Sequence, residues 1–122
     1  MTRRVMLIED EPNISEALRF ILTRGGYEVS TLADGALAEA AILDQRPDVL
    51  ILDVMLPGRS GFDILASLRA RGETADLPVL MLTAKGQDRD RQAAEQLGAS
   101  GFMSKPFSNT EILAQVRAMV GP

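Results

Sequence analysis

The chain has no cysteine and no histidine. Without cysteine there are no disulfides, thiolate zinc sites or thiol nucleophiles, a composition that fits a reducing cytoplasm. Without histidine, every Ser-His-Asp, Cys-His or imidazole-ligated metal mechanism is unavailable unless a partner brings the imidazole. Basic charge is also scarce: 13 Lys and Arg stand against 17 Asp and Glu, for a formal charge of -4. Phosphate backbones are bound by clustered cations, so direct nucleic-acid binding is not expected. No apolar run approaches the roughly 20 residues that span a bilayer, and Met1 to Arg4 lead straight into a short strand pattern rather than a signal-peptide core. The expectation is a cytoplasmic protein with no membrane segment, whose chemistry is left to carboxylates, lysine and hydroxyls.

What is present is enough for one core. The chain has 122 residues, 46% of them hydrophobic, and no linker, repeat or low-complexity segment divides it. A single domain over residues 1–122 follows. Val5 to Ile8, Val49 to Leu52 and Val79 to Leu82 are apolar on both faces, the pattern of parallel strands covered by helices on each side. Tyr27 to Leu32 and Gly101 to Met103 are weaker strand candidates.

Between these runs the apolar period becomes helical. Ile14, Ala17, Leu18, Ile21 and Leu22 form one stripe, and Ile112, Leu113, Val116, Met119 and Val120 another. Ser60 with Asp63 and Ser108 with Glu111 resemble capping boxes, while Gly25, Gly72 and Gly98 stand where helices should stop. The spacing predicts helices near 12–24, 35–45, 61–71, 87–97 and 108–119. Such alternation gives right-handed βαβ units and an open parallel α/β sheet, whose chemistry collects outside the carboxyl ends of the strands.

Those ends carry polar groups: Glu9, Asp10 and Glu11 after the first strand, Asp53 after the third, Thr83 after the fourth, and Lys105-Pro106 after the fifth. Neighbouring strands lie about 4.8 Å apart, so Asp10 and Asp53 come close if the first and third strands pair. Two like charges roughly 5 Å apart, at an effective dielectric of about 20, repel by around 3 kcal/mol. The cluster must shift its pKa values upward or take a cation. A hard divalent ion such as Mg²⁺, with Mn²⁺ as an alternative, accepts such oxygens and leaves room for a phosphate. A carboxylate there can attack phosphorus, with a lysine and a hydroxyl stabilising the spread charge, and Asp53, Lys105 and Thr83 fit those roles. Singly, each residue has a plainer reading as a cap, a loop lysine or a β-former; their convergence on one rim argues for function.

With Glu9-Asp10, the segment Asp53-Val54-Met55-Leu56-Pro57-Gly58 followed by Gly61, Thr83-Ala84, and Lys105-Pro106-Phe107, the whole chain resembles the response-regulator receiver domains of two-component signalling. The resemblance implies a doubly wound, CheY-like sheet in the order 2-1-3-4-5, with the first and fifth helices on one face and the other three opposite. It implies that Asp53 accepts a phosphoryl group from a histidine kinase or histidine phosphotransfer protein. Asp10, Asp53 and the Met55 carbonyl would hold Mg²⁺, with Glu9 acting mainly through water. Thr83, Ala84 and Lys105 would meet the phosphoryl oxygens, the Lys105-Pro106 bond would be cis, and Thr83 with Phe102 would form a switch that alters the helix 4, strand 5 and helix 5 surface toward a protein target. Simple core packing is the plainer reading of Phe102.

Met55 and Lys85 occupy the positions that tune dephosphorylation in that family, and the plainer reading of Lys85 is an exposed loop lysine. Transcription-factor members often pair two acidic residues before the switch aromatic with an arginine of the fifth helix across a dimer. Ser100, Gly101 and Gln115 stand here instead, so a monomer or a weak phosphorylation-dependent dimer is expected. The chain reads either as a single-domain regulator or as a receiver cut from a longer protein.

Rival readings lack their signatures. An aspartate-nucleophile phosphatase needs Asp-x-Asp after the first strand, but the one such pair, Asp88 and Asp90, lies in a predicted helix and reads as a solvated face. An FMN binder needs a hydroxyl- and glycine-rich loop where the carboxylates stand. A receiver-like module that is never phosphorylated would have no need of the intact pocket.

Overall fold

The computed structural model describes residues 2–84 and 88–121. Five strands, β1 (Arg4–Ile8), β2 (Glu28–Leu32), β3 (Val49–Asp53), β4 (Val79–Thr83) and β5 (Gly101–Ser104), form one parallel sheet in the order 2-1-3-4-5. The helices are α1 (Pro12–Arg24), α2 (Ala38–Gln45), α3 (Gly61–Ala70), α4 (Asp88–Gln96) and α5 (Asn109–Val120). The architecture is the α/β doubly wound fold expected from the sequence.

Strand alternation divides the core in two. Val5, Leu7, Val49, Ile51, Leu80 and Leu82 face α1 and α5, where they meet Leu18, Leu22, Ile112 and Val116. Met6, Ile8, Leu50, Leu52, Val79 and Met81 face α2, α3 and α4. Each fully buried aliphatic side chain contributes about 1.5–3 kcal/mol, so a one-residue slip of β3 would exchange the two sets and lose both packings. The register is therefore fixed, and with it the side-by-side placement of the strand ends.

The element ends differ from expectation in specific ways. Polar Asp53, Thr83 and Ser104 extend their strands by one residue because their backbones still pair. The helix expected from 35 begins as a 3-10 turn, Gly35–Leu37, where the Asp34 carboxylate accepts the Ala36 N–H. Ser108 and Glu111 form a complete capping box. At Ser60 only half forms: its hydroxyl accepts the Asp63 N–H, and aspartate is one methylene shorter than the glutamate that would reach back. Helix α1 stops at Gly25, but the left-handed residue is Gly26, at φ 98°. Helix α3 ends before Gly72, with Arg71 as its cap.

Candidate functional site

The register carries Glu9, Asp53 and Thr83 to one rim. Ile8 pairs Leu52, so Glu9 follows beside Asp53, while Asp53 pairs Leu82 and Thr83 pairs Ser104. The Lys105 N–H donates to the Thr83 carbonyl at 2.8 Å, which brings the lysine to the same edge, and its bond to Pro106 is cis. Behind Asp53 the chain turns sharply into α3, where the Gly61 N–H donates to the Val54 carbonyl at 2.9 Å. A Cβ at Gly61 would lie 2.2 Å from the Asp53 carbonyl oxygen, so only glycine permits this close approach.

Glu9, Asp53 and Thr83 are 2%, 3% and 1% exposed, whereas Asp10 is open to solvent. Carboxylate oxygens of Glu9, Asp10 and Asp53 all lie within 4.8 Å of one another. The Lys105 ammonium is 2.8 Å from Glu9 Oε1 and 3.4 Å from Asp53 Oδ2. Glu9 Oε2 accepts the Glu11 N–H at 3.2 Å, and Asp53 Oδ1 accepts the Met55 N–H at 3.4 Å.

These contacts split the two buried carboxyls. Burial, then the hydrogen bond and charge of Glu9, push Asp53 up to about 7, and Lys105 offsets only part of this. Burial acts on Glu9 in the same direction, but its bonds to Lys105, Asp53 and the Glu11 N–H prevail and hold it below the usual carboxylate range. Lys105 is desolvated, yet its two carboxylate neighbours raise it above an ordinary lysine. Of the two carboxyls, Asp53 is therefore the one that takes up a proton near neutral pH, beside the Glu9-Lys105 pair.

The donor set suits a hard cation: three carboxylates converge, and Glu9 Oε1, although close to the ammonium, is buried without a hydrogen bond of good geometry. This acidic cluster can bind Mg²⁺. Binding should raise the melting temperature, by about 3 kcal/mol of added stability at a hundredfold excess over Kd. Because the ion must displace a proton held near pH 7, affinity should weaken about tenfold from pH 8 to pH 6. Thermal melts with Mg²⁺ at both pH values check this; no shift at either would contradict it.

Other expected residues take less enclosed places. Met55 is 73% exposed, Ala84 is exposed, and Phe102 is half-buried against the α2, α3 and α4 face. Lys85 lies outside the described residues. The room beside Gly101 is taken by α5: a Cβ there would meet the Met119 methyl at 2.5 Å and the Gln115 carboxamide at 3.2 Å. Gly101 and Gln115 thus pack against each other.

Two features escaped the sequence reading. Asp88 is exposed as expected, but Asp90 is half-buried, and its Oδ2 accepts the Thr83 hydroxyl at 2.7 Å. Glu39 on α2 accepts bonds from Arg59 at 2.7 Å, from Ser67 at 2.8 Å and from Arg71 at 2.9 Å. Arg59, then Ser67, hold the Glu39 carboxyl down to about 2. Since Arg59 belongs to the loop after Asp53, this network fastens that loop to α2 and α3. Neither partnership has a spacing signal, because each joins residues from different elements.

Comparisons with known proteins agree with this geometry. Residues 5–117 match the sequence model of the response regulator receiver domain. The phosphate regulon transcriptional regulatory protein PhoB of Rhizobium meliloti (strain 1021) is 42% identical over 120 residues, 98% of this chain and 53% of that protein. The chain spans about half the length of the curated relatives it matches. The crystal structure of Vibrio cholerae chemotaxis protein CheY4 superposes with a TM-score of 0.89 at 31% identity, over 98% of this chain and 99% of that one. The receiver domain of sensor histidine kinase PA1611 from Pseudomonas aeruginosa PAO1, whose crystal structure has a magnesium ion coordinated in the active site cleft, gives 0.90 at 28% identity over all of both chains. The chain therefore belongs to the response regulator receiver domain family.

Proposed function

We propose that this domain is a phosphorylation-operated signalling switch in which Asp53 accepts a phosphoryl group from the phosphohistidine of a histidine kinase or histidine phosphotransfer protein. The observation that carries the reading is the convergence of Glu9, Asp10, Asp53 and Lys105 at the strand ends. Asp10, Asp53 and the Met55 carbonyl would hold Mg²⁺, with Glu9 supporting it through water. Bound there, the ion supplies positive charge to the oxygens of the transferring group. An Asp53 carboxylate oxygen attacks phosphorus, the new O–P bond forms as the donor's P–N bond breaks, and the imidazole departs with the electron pair. Lys105 and the Ala84 N–H, with the Thr83 hydroxyl once engaged, meet the equatorial oxygens.

The net charge of -4 favours protein partners over nucleic acid, and the absence of cysteine fits work in the cytoplasm. Output would pass through the surface of α4, β5 and α5, as Thr83 moves toward the phosphoryl group and Phe102 turns inward. Intact mass measurement after incubation with Mg²⁺ and acetyl phosphate tests the central claim. A gain of one phosphoryl group is expected, and no gain at saturating Mg²⁺ rejects it.

Signal lifetime depends on water reaching the phosphoryl group in line. Met55 cannot orient a water, and its flexible apolar chain can cover the approach. Met55→Asn should shorten the lifetime severalfold after removal of the phosphodonor. An equal or longer lifetime would refute this role.

A further inference from the structure

A hydroxyl has one proton to give. In this structure Thr83 gives it to Asp90 Oδ2 at 2.7 Å, and at 1% exposure Thr83 has no bulk water to turn to. It cannot donate to a phosphoryl oxygen while that bond stands. The next residue along α4, Arg91, places its guanidinium carbon 5.3 Å from the centre of the Phe102 ring, a cation–π contact that inward rotation of the ring would break. Helix α4 has few other moorings. Its sequence is Asp88-Arg89-Asp90-Arg91-Gln92-Ala93-Ala94-Glu95-Gln96, and Ala94 is the one fully buried residue of these nine, all of them described.

We propose that Asp90 and Arg91 form a clasp that holds Thr83 and Phe102 in their resting positions, so that phosphorylation must open it to activate the domain. This rests on the switch reading of Thr83 and Phe102 given above. Asp90 is a positioning residue that acts through Thr83 and competes with the phosphoryl group for the same proton. When the proton leaves, α4 loses this hydrogen bond to β4; when the ring turns, it loses this contact with β5. The two events together free the first turn of the helix, so the clasp couples the site to the output surface and sets the threshold for activation.

The test uses beryllofluoride, which mimics a phosphoryl group on a carboxylate, with saturating Mg²⁺ and affinity read from amide chemical shifts. Asp90→Ala leaves the resting Thr83 hydroxyl without its acceptor, so the affinity should rise about tenfold. Asp90→Asn keeps an oxygen that can accept the hydroxyl and should gain clearly less. In a Thr83→Ala background, Asp90→Ala should change nothing. Arg91→Ala, which leaves the Thr83 bond intact, should give a smaller gain of its own and provides a second variant if Asp90→Ala folds poorly.

Equal or weaker binding by both Asp90→Ala and Arg91→Ala would overturn the clasp. A gain from Asp90→Asn as large as that from Asp90→Ala, or one that persists with Thr83→Ala, would overturn the assignment by showing that charge alone is responsible. Failure of the wild-type domain to bind beryllofluoride in Mg²⁺ would instead reject the phosphoacceptor reading itself, which separates the two.

Discussion

Asp53→Asn should take up no phosphoryl group from acetyl phosphate or a phosphorylated kinase, because a carboxamide is not a usable nucleophile toward phosphorus. The same variant should nevertheless be the more stable protein without metal. Asp53 is buried beside Glu9 and pushed up to about 7, against 3.8 for an ordinary aspartate. Between those values the folded state keeps a proton that the unfolded chain has lost, so stability falls as the pH rises from about 4 to 7 and stays low above it. The amide never ionises and avoids that loss. At pH 8 without Mg²⁺ the gain should be on the order of 2–4 kcal/mol; at pH 4 it should vanish. Denaturant melts at the two pH values measure the difference, alongside intact mass for labelling. Labelling of Asp53→Asn at the wild-type rate would remove Asp53 from the mechanism, and a variant less stable than wild type at pH 8 would show that the site carries no such electrostatic load.

How much of this could be read from the residues depends on whether a feature is local. Val5 to Ile8, Val49 to Leu52 and Val79 to Leu82 announce themselves because a strand covered on both faces has no polar positions to interrupt it. Their placement puts Asp10, Asp53, Thr83 and Lys105 at one edge before any coordinates are known. Where the fold and the sequence pattern part, backbone pairing or capping is the cause: Asp53 and Thr83 are polar yet still in their strands, and Asp34 draws the chain after it into a 3-10 turn. Burial at the rim is less legible. Adjacent Glu9 and Asp10 look alike in sequence, but Glu9 is enclosed and paired with Lys105, while Asp10 faces water. Asp90 is harder still, because its value lies in a bond to Thr83 from a different element. Its Asp-x-Asp spacing with Asp88 invited comparison with a phosphatase motif or a solvated face, and neither reading describes its actual partner. Thr83 and Phe102 could be singled out from the sequence; their contacts with Asp90 and Arg91 could not.

Lys105→Ala should separate metal binding from phosphoryl transfer, since the role proposed for the lysine in transfer is opposite to its effect on the metal. Its ammonium lies 2.8 Å from Glu9 and 3.4 Å from Asp53, so it neutralises the same carboxylates that would hold Mg²⁺. Removing one partner of a buried ion pair costs about 3–5 kcal/mol when the remaining charge has no escape. Here Asp53 can take up a proton instead, because burial and Glu9 already hold it near 7, so a loss of about 2 kcal/mol is expected without metal. Saturating Mg²⁺ should restore most of that stability and, at a pH high enough to keep Asp53 ionised, should bind severalfold more tightly than in wild type, with no neighbouring cation to repel it. Transfer behaves oppositely. Charge spreads over the phosphoryl oxygens as the group moves, and loss of a preorganised donor of this kind costs about 100-fold or more in rate. The variant should therefore bind Mg²⁺ better and label at least about 100-fold more slowly, a combination that general damage to the pocket would not produce. Mg²⁺ titration followed by thermal melts, together with the rate of labelling by acetyl phosphate, decides it. If metal affinity and labelling fall together, Lys105 is merely structural; if labelling is unchanged, it has no part in the transfer.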